Sequence, residues 1–348
     1  MRLLSISRNL TPGGAGLGNE LIPAAKSHLC ALATGSRLVP HAWGWNGRGY
    51  RNLFGTSILD PLPPHVALKL LPKLEIGRRQ WLDHRIEDYG SLCRHLLDRH
   101  TFPALAPAGA IVHSGMWGGF CLIDPAKPWV KALLASAKGA PERLAAFQRT
   151  TSGAAFKVGV HVRRGDFSAM TGPLRGKFNF SIPMAWYQQV LSSVLPMLPA
   201  ETLVCAFSDA ILPGDELLPR GWPAERLWQA PTPGHDTADL LSLAACDLLV
   251  CSVSSYSTMA AWLGGKPYLW LKDQMQEASG RLSIWGDEAS EGNWLQAMSF
   301  APPEISLRSP CIPTSLHADF DRRHLAAILA DGHATDRRLD PIRYGCTS

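Results

Sequence analysis

The sequence predicts an α/β protein of two lobes, each built around a parallel sheet, and three observations support this fold class. The chain has 348 residues, which is long for one hydrophobic core and sufficient for two domains. Residues 203–271 alternate between apolar runs typical of buried strands and runs with helical spacing. In residues 157–166, valines alternate with other residues before a polar turn, the pattern of a strand that ends at a sheet edge.

The composition is that of an ordinary globular protein, with 46% hydrophobic and 18% charged residues. The formal net charge is +5 at neutral pH, and the basic residues are dispersed along the chain. A charge this small and this scattered argues against a nucleic-acid partner. The mild basic excess is compatible with an anionic ligand, although it does not require one.

The eight cysteines show no CxxC spacing, and Cys205, Cys246 and Cys251 fall in apolar runs where a thiol packs as a small hydrophobic group. This usage favours a reducing compartment and argues against a zinc site and a disulfide framework. Residues 1–8 are too short an apolar run for a signal peptide, and no stretch elsewhere is long enough to span a membrane. We therefore predict a cytoplasmic protein; peripheral membrane contact and the oligomeric state remain open.

The N-terminal lobe opens with a predicted strand at residues 2–7, a glycine-rich loop at 12–18 and a helix. Asn19 is expected to be the helix N-cap and Gly35 to end the helix. Such a loop can bring backbone N–H groups to an anion or a sugar. A tight turn that binds no ligand explains the same pattern equally well, because the spacing is not a dinucleotide fingerprint.

The sequence also predicts the extent of the two lobes. Residues 36–110 show poor periodicity, and the lobe boundary is placed near 125–155. The predicted domains are an N-terminal lobe at 1–150, a C-terminal lobe at 151–315, and a closing helix and tail at 316–348. The predicted elements are helices at 85–100, 128–137, 142–150, 237–246, 254–263 and 319–329, and strands at 110–113, 157–162, 203–207, 247–252 and 267–271. The strand–helix alternation of the C-terminal lobe indicates a Rossmann-like sheet.

Polar side chains follow three of the predicted strands of this lobe. In open α/β sheets, ligands bind just outside the carboxyl ends of the strands. Two guanidiniums at such an edge suit a diphosphate, because arginine pairs with phosphate oxygens bidentately. Serine hydroxyls and unpaired N–H groups at a helix start add an anion site. The residues concerned are Arg163, Arg164, Asp209, Ser254 and Ser255, with Asp239 on the preceding helix as a carboxylate able to recognise guanine.

Each of these residues also has a purely structural explanation. Ser254 would serve as a helix cap, Asp239 as a surface acid, and Asp209 as a turn former, while the Arg-Gly-Asp tripeptide at 164–166 is a common accident. The expected convergence of all of them on one sheet edge is what favours a nucleotide site.

At this point the sequence resembles a known family. Residues 161–166, HVRRGD, resemble the HxRRxD motif of the α1,2-, α1,6- and protein O-fucosyltransferases. Residues 16–19 resemble the GLGNQ loop of the α1,2-fucosyltransferases, glycosyltransferase family 11. Residues 207–209 resemble their FSDD segment and residues 252–263 their NSSFSWWAAWL segment. The four matches come in the order of the family and span about residues 13–265.

The resemblance implies a GT-B-type fold of two Rossmann-like lobes with the donor nucleotide in the cleft. It implies a galactoside 2-α-L-fucosyltransferase-like enzyme that moves fucose from GDP-fucose to a glycan acceptor with inversion. The expected acceptor is galactose, in an α1,2 linkage, and no cofactor or metal is expected. A non-catalytic GDP-sugar-binding or carbohydrate-binding relative, and a transferase for another GDP-sugar, are the alternatives.

The resemblance also implies a role for each residue that matches a family motif. The resemblance assigns Arg163 to the diphosphate, His161 to the nucleotide, and Ser255, with Ser254 beside it, to phosphate. It implies that Arg164 and Asp166 support the loop.

In the α1,6 relatives, an acid on the helix before the last motif recognises guanine. A second acid, which opens the next strand, follows eight residues later. Asp239 and Asp247 repeat that spacing.

Catalysis is expected from Arg163, with Asp166 beside it. Gly18, Asn19 and Glu20 are expected on the acceptor side. Glu20 and Asp166 are the two candidates for a general base, and a loose transition state that needs no base is the alternative.

Three departures from the family pattern bear on the acceptor. Glu20 stands where the glutamine of GLGNQ is expected, Ala210 replaces the second acid of FSDD, and Thr258-Met259 replace the tryptophan pair. The chain is therefore expected off the main α1,2 branch.

Overall fold

The chain folds into two compact units, a first that ends at Gly139 and a second that begins at Ala140. The computed structural model describes residues 2–8, 14–77, 80, 88–104, 106–116, 118–165, 167–170, 172–175, 177–178, 180–210, 212, 214–230, 236–278, 281–284, 307–332, 335–336 and 339–342. Asp166 and the loop residues 12–13 lie outside this set, so the role expected of Asp166 stays a prediction.

The first unit contains a four-stranded parallel sheet with strand order β2-β1-β4-β3. Its strands are β1 (Arg2–Arg8), β2 (Arg37–Leu38), β3 (Lys73–Ile76) and β4 (Ala108–Ser114). Its helices are α1 (Leu17–Thr34), α2 (Tyr50–Phe54), α3 (Leu62–Leu70), α4 (Tyr89–Asp98) and α5 (Lys127–Ala135). Ile6 and Val112 are partners across β1 and β4, and both are buried in the core of the unit.

Helix α1 begins three residues earlier than expected. Gly16 is the N-cap, so Asn19 lies inside the first turn and the expected cap role of Asn19 is wrong. The helix ends as expected at Gly35, which adopts the left-handed conformation at φ +66°. Pro23 is inside the helix, where it has no N–H to donate to the carbonyl of Asn19 four residues earlier.

The second unit contains a six-stranded parallel sheet with strand order β14-β11-β10-β5-β8-β9. Its strands are β5 (Phe156–Val162), β8 (Thr202–Ser208), β9 (Leu227–Gln229), β10 (Leu248–Val250), β11 (Tyr268–Leu271) and β14 (Cys311–Thr314). Short pairs are formed by β6 (Ser168–Ala169) with β7 (Phe180–Ser181) and by β12 (Gln276–Ala278) with β13 (Arg281–Ser283). Strand β5 lies between β10 and β8, and its three valines are fully buried.

The helices of the second unit are α6 (Ala140–Thr151), α7 (Met184–Val194), α8 (Gly214–Leu217), α9 (Asp236–Ala244), α10 (Ser255–Gly264) and α11 (Arg322–Ala330). Helix α6 was expected in the N-terminal lobe. It belongs to the second unit, because Phe147 packs on the rings of Phe207 and Trp228. The boundary therefore lies within the expected range of 125–155, eleven residues before the end of the predicted lobe at 1–150. The two α/β units confirm the predicted fold class.

Six cysteines of the described chain are free thiols, and all six are buried. Cys205, Cys246 and Cys251, which the sequence placed in apolar runs, are among them. The reducing compartment and the cytoplasmic location stay predictions.

No helix within the described ranges is both long and apolar enough to cross a bilayer.

Candidate functional site

The carboxyl ends of three neighbouring strands bring the predicted nucleotide residues to one edge of the second sheet. Val162 of β5 is the partner of Ser208 of β8, and Val160 of β5 is the partner of Val250 of β10. The turns that follow these strands carry Arg163 and Arg164, then Asp209, then Ser254 and Ser255. The expected convergence on one sheet edge is therefore present, although the roles of the residues differ in part.

Asp209 holds the turn that follows β5. Its Oδ1 accepts a hydrogen bond from the backbone N–H of Arg164 at 2.8 Å, and its Oδ2 accepts one from Gly165 at 2.8 Å. The Nε of Arg163 lies 3.3 Å from the same Oδ2. These contacts show that Asp209 shapes the arginine turn, and the nucleotide contact expected of it stays a prediction.

Gly165 is required by this arrangement. A Cβ atom at this position would lie 2.5 Å from Oδ2 of Asp209, closer than real Cβ contacts. The carboxylate can reach two consecutive N–H groups only because the turn has no side chain at residue 165.

The two arginines of the turn differ in their surroundings. The side chain of Arg163 is 20% exposed, paired with Asp209, and its guanidinium carbon lies 5.1 Å from the centre of the Phe167 ring. The side chain of Arg164 is 43% exposed and reaches Glu216 at 3.4 Å. Arg163 is thus the guanidinium held in a fixed position, as a diphosphate contact requires, and Arg164 lies at the surface.

His161 connects strand β5 to the start of helix α10. Its Nδ1 lies 2.8 Å from the hydroxyl of Ser257 and 2.8 Å from that of Ser252, and its ring lies 4.8 Å from that of Tyr256. Burial, followed by the nearby charge of Arg163, lowers the pKa of His161 to about 3, so the imidazole is neutral at physiological pH. A neutral, hydrogen-bonded imidazole fixes the helix start relative to the arginine turn.

The N-terminus of helix α10 is capped by Ser254, whose Oγ accepts from the backbone N–H of Ser257 at 3.2 Å. Ser254 is buried, while Ser255 and Tyr256 are partly exposed. The N–H groups of these two residues belong to the first turn, where no intrahelical acceptor exists. A helix N-terminus of this kind attracts an anion, and it lies at the same sheet edge as Arg163.

The two acids with the family spacing lie at opposite ends of the sheet. Asp239 is in the first half of α9, nearly buried, with its Oδ1 3.7 Å from Nη2 of Arg143 on α6. Asp247 precedes β10 and accepts a hydrogen bond from the N–H of Lys157 at 2.9 Å, at the amino ends of the strands. Only Asp239 is therefore placed toward the nucleotide edge.

In the first unit, Glu20 is the centre of a buried polar cluster. Its Oε1 accepts hydrogen bonds from the N–H of Ala15 at 2.8 Å and from Nδ2 of Asn46 at 2.7 Å, and its Oε2 lies 2.9 Å from Nε2 of His41. The other ring nitrogen of His41 lies 2.8 Å from the hydroxyl of Ser7. Both oxygens of Glu20 are thus engaged in the cluster, Oε1 with the glycine loop and Oε2 with His41, and its role as a general base stays a prediction.

The loop itself wraps around Asn46. Gly14 has φ +90°, and a Cβ atom there would lie 2.4 Å from Nδ2 of Asn46, which also donates to the carbonyl of Ala15 at 3.1 Å. Neither Asn46 nor His41 was expected from the sequence. They fall in a stretch without periodicity, where the available signal was two polar residues that flank the tryptophan pair Trp43 and Trp45.

Of the other two acceptor-side residues, Gly18 is buried inside α1 and has no side chain to offer. Asn19 is only partly exposed, and its buried Oδ1 has no hydrogen-bond partner among the described residues. Asn19 is therefore the residue of this helix start with an unused polar atom.

No known protein-family model matches the sequence, and no relative is found among characterised proteins. Several solved structures are similar in their chain course. The α1,6-fucosyltransferase NodZ co-crystallised with GDP has 16% identity and a TM-score of 0.45, over 81% of this chain and 96% of that one. NodZ soaked with GDP-fucose has 17% identity and a TM-score of 0.40, over 75% and 91%. POFUT1 in complex with GDP has 12% identity and a TM-score of 0.37, over 77% and 97%. A further similar structure is that of the fucosyltransferase NodZ from Bradyrhizobium. None of these is described as an α1,2-fucosyltransferase.

Proposed function

We propose that the protein is a glycosyltransferase that moves fucose from GDP-fucose to a hydroxyl group of a glycan, with inversion and without a metal ion. One observation carries the proposal. Asp209 accepts two backbone N–H groups of the Arg163–Gly165 turn and so fixes an arginine at the sheet edge where helix α10 begins. The residues of this arrangement coincide with the motifs that the sequence shares with the fucosyltransferases.

The chemistry follows from the charges. When the bond between sugar and diphosphate breaks, negative charge builds on the β-phosphate of the leaving GDP. A guanidinium fixed in advance and a helix N-terminus both stabilise that charge more strongly in the transition state than in the ground state. They supply positive charge that a metal ion provides in other phosphate chemistry. His161, neutral and buried, positions the two groups relative to each other.

Of the three departures behind the non-catalytic alternative, Ala210, Thr258 and Met259, the last two do not favour it. Thr258 and Met259, which replace the tryptophan pair, are both fully buried in helix α10. The hydroxyl of Thr258 donates to the carbonyl of Ser255 within the same helix. These two replacements therefore change the packing of the helix and leave its N-terminal serines in place.

The deciding experiment is transfer from GDP-fucose to a panel of galactose-ended oligosaccharides in the presence of excess EDTA. The linkage and the anomeric configuration of the product are determined by NMR. Calorimetric titration with GDP is carried out alongside. Transfer that survives EDTA supports the proposal, and an α1,2-linked galactose would extend it to the acceptor. GDP binding with neither transfer nor hydrolysis supports the non-catalytic alternative, while turnover of another GDP-sugar only would replace fucose in the proposal.

Recognition of the base is proposed for Asp239. Replacing Asp239 by Asn exchanges a carboxylate oxygen for an N–H group that would face an N–H of guanine, so GDP affinity should fall by about 2 kcal/mol, or roughly 30-fold. Competition by UDP and ADP should improve relative to GDP. Because Asp239 also lies near Arg143, thermal unfolding is measured beside it. A loss of stability with an unchanged order of GDP, UDP and ADP would make Asp239 a partner of Arg143 only.

A further inference from the structure

Helix α3 and the turn before it carry a row of apolar side chains on their outer surface. Leu62, Val66 and Leu70 are spaced by four residues, which places them on one face of helix α3, and Leu59 lies in the turn before it. These four residues, here called the outer stripe, are 43–76% exposed. An unbroken apolar row of this kind on a surface helix indicates an interaction site rather than scattered surface residues.

The outer stripe is not needed for packing within the first unit. The opposite face of the same segment supplies Ala67, Leu68 and Leu71, which pack against the core around Ile6 and Val112. The helix is therefore apolar on two faces, and only one of them faces the sheet. A second apolar face has no role in folding the unit, so its occupant must come from outside the first unit.

Trp45 and Ile58 extend the stripe at its N-terminal end. The Nε1 of Trp45 donates to the carbonyl of Ile58 at 2.9 Å, and its ring lies 5.3 Å from that of His65 on α3. Trp45 and Ile58 are 45% and 55% exposed. A half-exposed tryptophan with its N–H hydrogen-bonded suits the boundary between water and lipid, where one edge of the ring is apolar and the other polar.

Two basic residues lie on or beside helix α3: Lys69 belongs to the helix, and Nζ of Lys73 donates to the carbonyl of Leu68 at 3.4 Å. Between residues 45 and 74 the chain has four cations, Arg48, Arg51, Lys69 and Lys73, and one anion, Asp60, a net charge of +3 with histidine neutral. The next acid, Glu75, is paired with Arg8. All four cations are exposed. The carboxylate of Asp60 accepts the N–H of Ser57 at 2.7 Å, so it is engaged within its own turn. The surface therefore combines apolar side chains with a positive rim.

We propose that this surface docks the protein on an anionic lipid bilayer. The outer stripe and Trp45 would enter the boundary between headgroups and acyl chains, and the basic residues would contact the anionic headgroups. The charge complementarity distinguishes this occupant from an apolar protein surface, which gains nothing from a positive rim. The inference goes beyond the transferase proposal and does not depend on it.

The test is flotation of the full chain with vesicles of phosphatidylcholine alone and of phosphatidylcholine with phosphatidylglycerol. The protein should bind the anionic vesicles, and raising the salt concentration should weaken the binding. The double variant Val66→Gln/Leu70→Gln should lose at least tenfold in partitioning. Its matched control is Leu32→Gln, because Leu32 is 70% exposed on helix α1 and lies outside the surface. Replacing Lys69 or Lys73 by Gln should each cost about fivefold, whereas the exposed Lys131 of α5 gives a control of equal charge.

Three results would overturn the proposal. Wild-type protein that stays in the bottom fraction with anionic vesicles would do so, as would a stripe variant that floats like the wild type. Sedimentation velocity provides the third, because a dimer that is lost in the stripe variant would assign this surface to a second copy of the chain. Far-UV circular dichroism and GDP titration of the same variants show that the fold and the second unit are intact. A failure of GDP binding in the wild type would count against the transferase proposal alone.

Discussion

In both units a carboxylate stabilises the loop near the end of the first strand, but the two loops differ in what they expose. In each, a carboxylate outside a glycine-containing loop accepts hydrogen bonds from its backbone, from one N–H group in the first unit and from two in the second. Glu20 accepts from Ala15 in the first unit, and Asp209 accepts from Arg164 and Gly165 in the second. In each, a glycine lies where a Cβ atom would collide with the group that holds the loop, Asn46 against Gly14 and Asp209 against Gly165.

The difference lies in what the carboxylate leaves exposed. Glu20 is buried, and its oxygens are also engaged by Asn46 and His41, so this cluster is closed on itself. Asp209 is partly exposed and directs an arginine turn outward beside a helix N-terminus. The same hydrogen-bond pattern therefore stabilises a loop in one unit and presents positive charge in the other. Substitutions in the second loop should affect turnover, and those in the first should affect stability.

The largest effect is expected at Arg163. Arg163→Lys removes the planar fork that can contact the departing phosphate bidentately, and each charge-assisted hydrogen bond contributes about 1.5–3 kcal/mol. Turnover of GDP-fucose should fall about 100-fold or more, with little change in melting temperature. Arg164→Lys is the matched control in the same turn and should retain most of the activity. An Arg163→Lys enzyme with wild-type turnover would contradict the whole site.

Glu20→Gln tests the closed loop. The neutral amide keeps one acceptor oxygen but removes the negative charge that strengthens the hydrogen bonds of Glu20, and its NH₂ group can be accommodated only if His41 changes tautomer, at a cost of about 1–3 kcal/mol. Denaturant unfolding should show this loss, and Glu225→Gln, an exposed acid in the second unit, should show almost none. If Glu20→Gln kept full stability and lost transfer, Glu20 would be the general base after all.

Gly165→Ala separates the shape of the arginine turn from its charge. The added Cβ would displace Asp209 or the turn, and overpacking of this kind costs about 1–3 kcal/mol. We expect GDP affinity and turnover to fall about tenfold or more, although every charged residue is still present. Gly153→Ala is the control, because no atom lies within 4 Å of the Cβ position there. Wild-type kinetics for Gly165→Ala would show that the clamp by Asp209 has no catalytic consequence.

The comparison also explains what the sequence could predict. Strand periodicity located β5, β8 and the helix that starts at Ser255 to within one or two residues, because local patterns determine them. The shared sheet edge followed from parallel pairing. The roles of Asp209 and Glu20 could not be predicted, since Asp209 contacts a loop 44 residues away and Glu20 contacts His41 and Asn46, which no local pattern brings to it. The boundary at Gly139 depended on the packing of Phe147 against the second sheet, a tertiary contact with no local signal.

The smallest expected effect on stability is at Asn19. This residue tests whether the first unit, as proposed for the second, contacts a substrate. Gly16, rather than Asn19, caps helix α1, and alanine favours a helix interior over asparagine. Asn19→Ala should therefore leave the free energy of unfolding within about 0.5 kcal/mol of the wild type. Its Oδ1 is buried without a hydrogen-bond partner in the described chain, and Pro23 withholds the usual donor from its carbonyl. If Oδ1 of Asn19 contacts the acceptor, the alanine variant should transfer about three- to tenfold more slowly, while its GDP affinity stays unchanged. Parallel transfer assays and GDP titrations decide the matter. If the Asn19→Ala variant transfers fucose at the wild-type rate, the first loop has a structural role only, and the two loops differ in function as well as in structure.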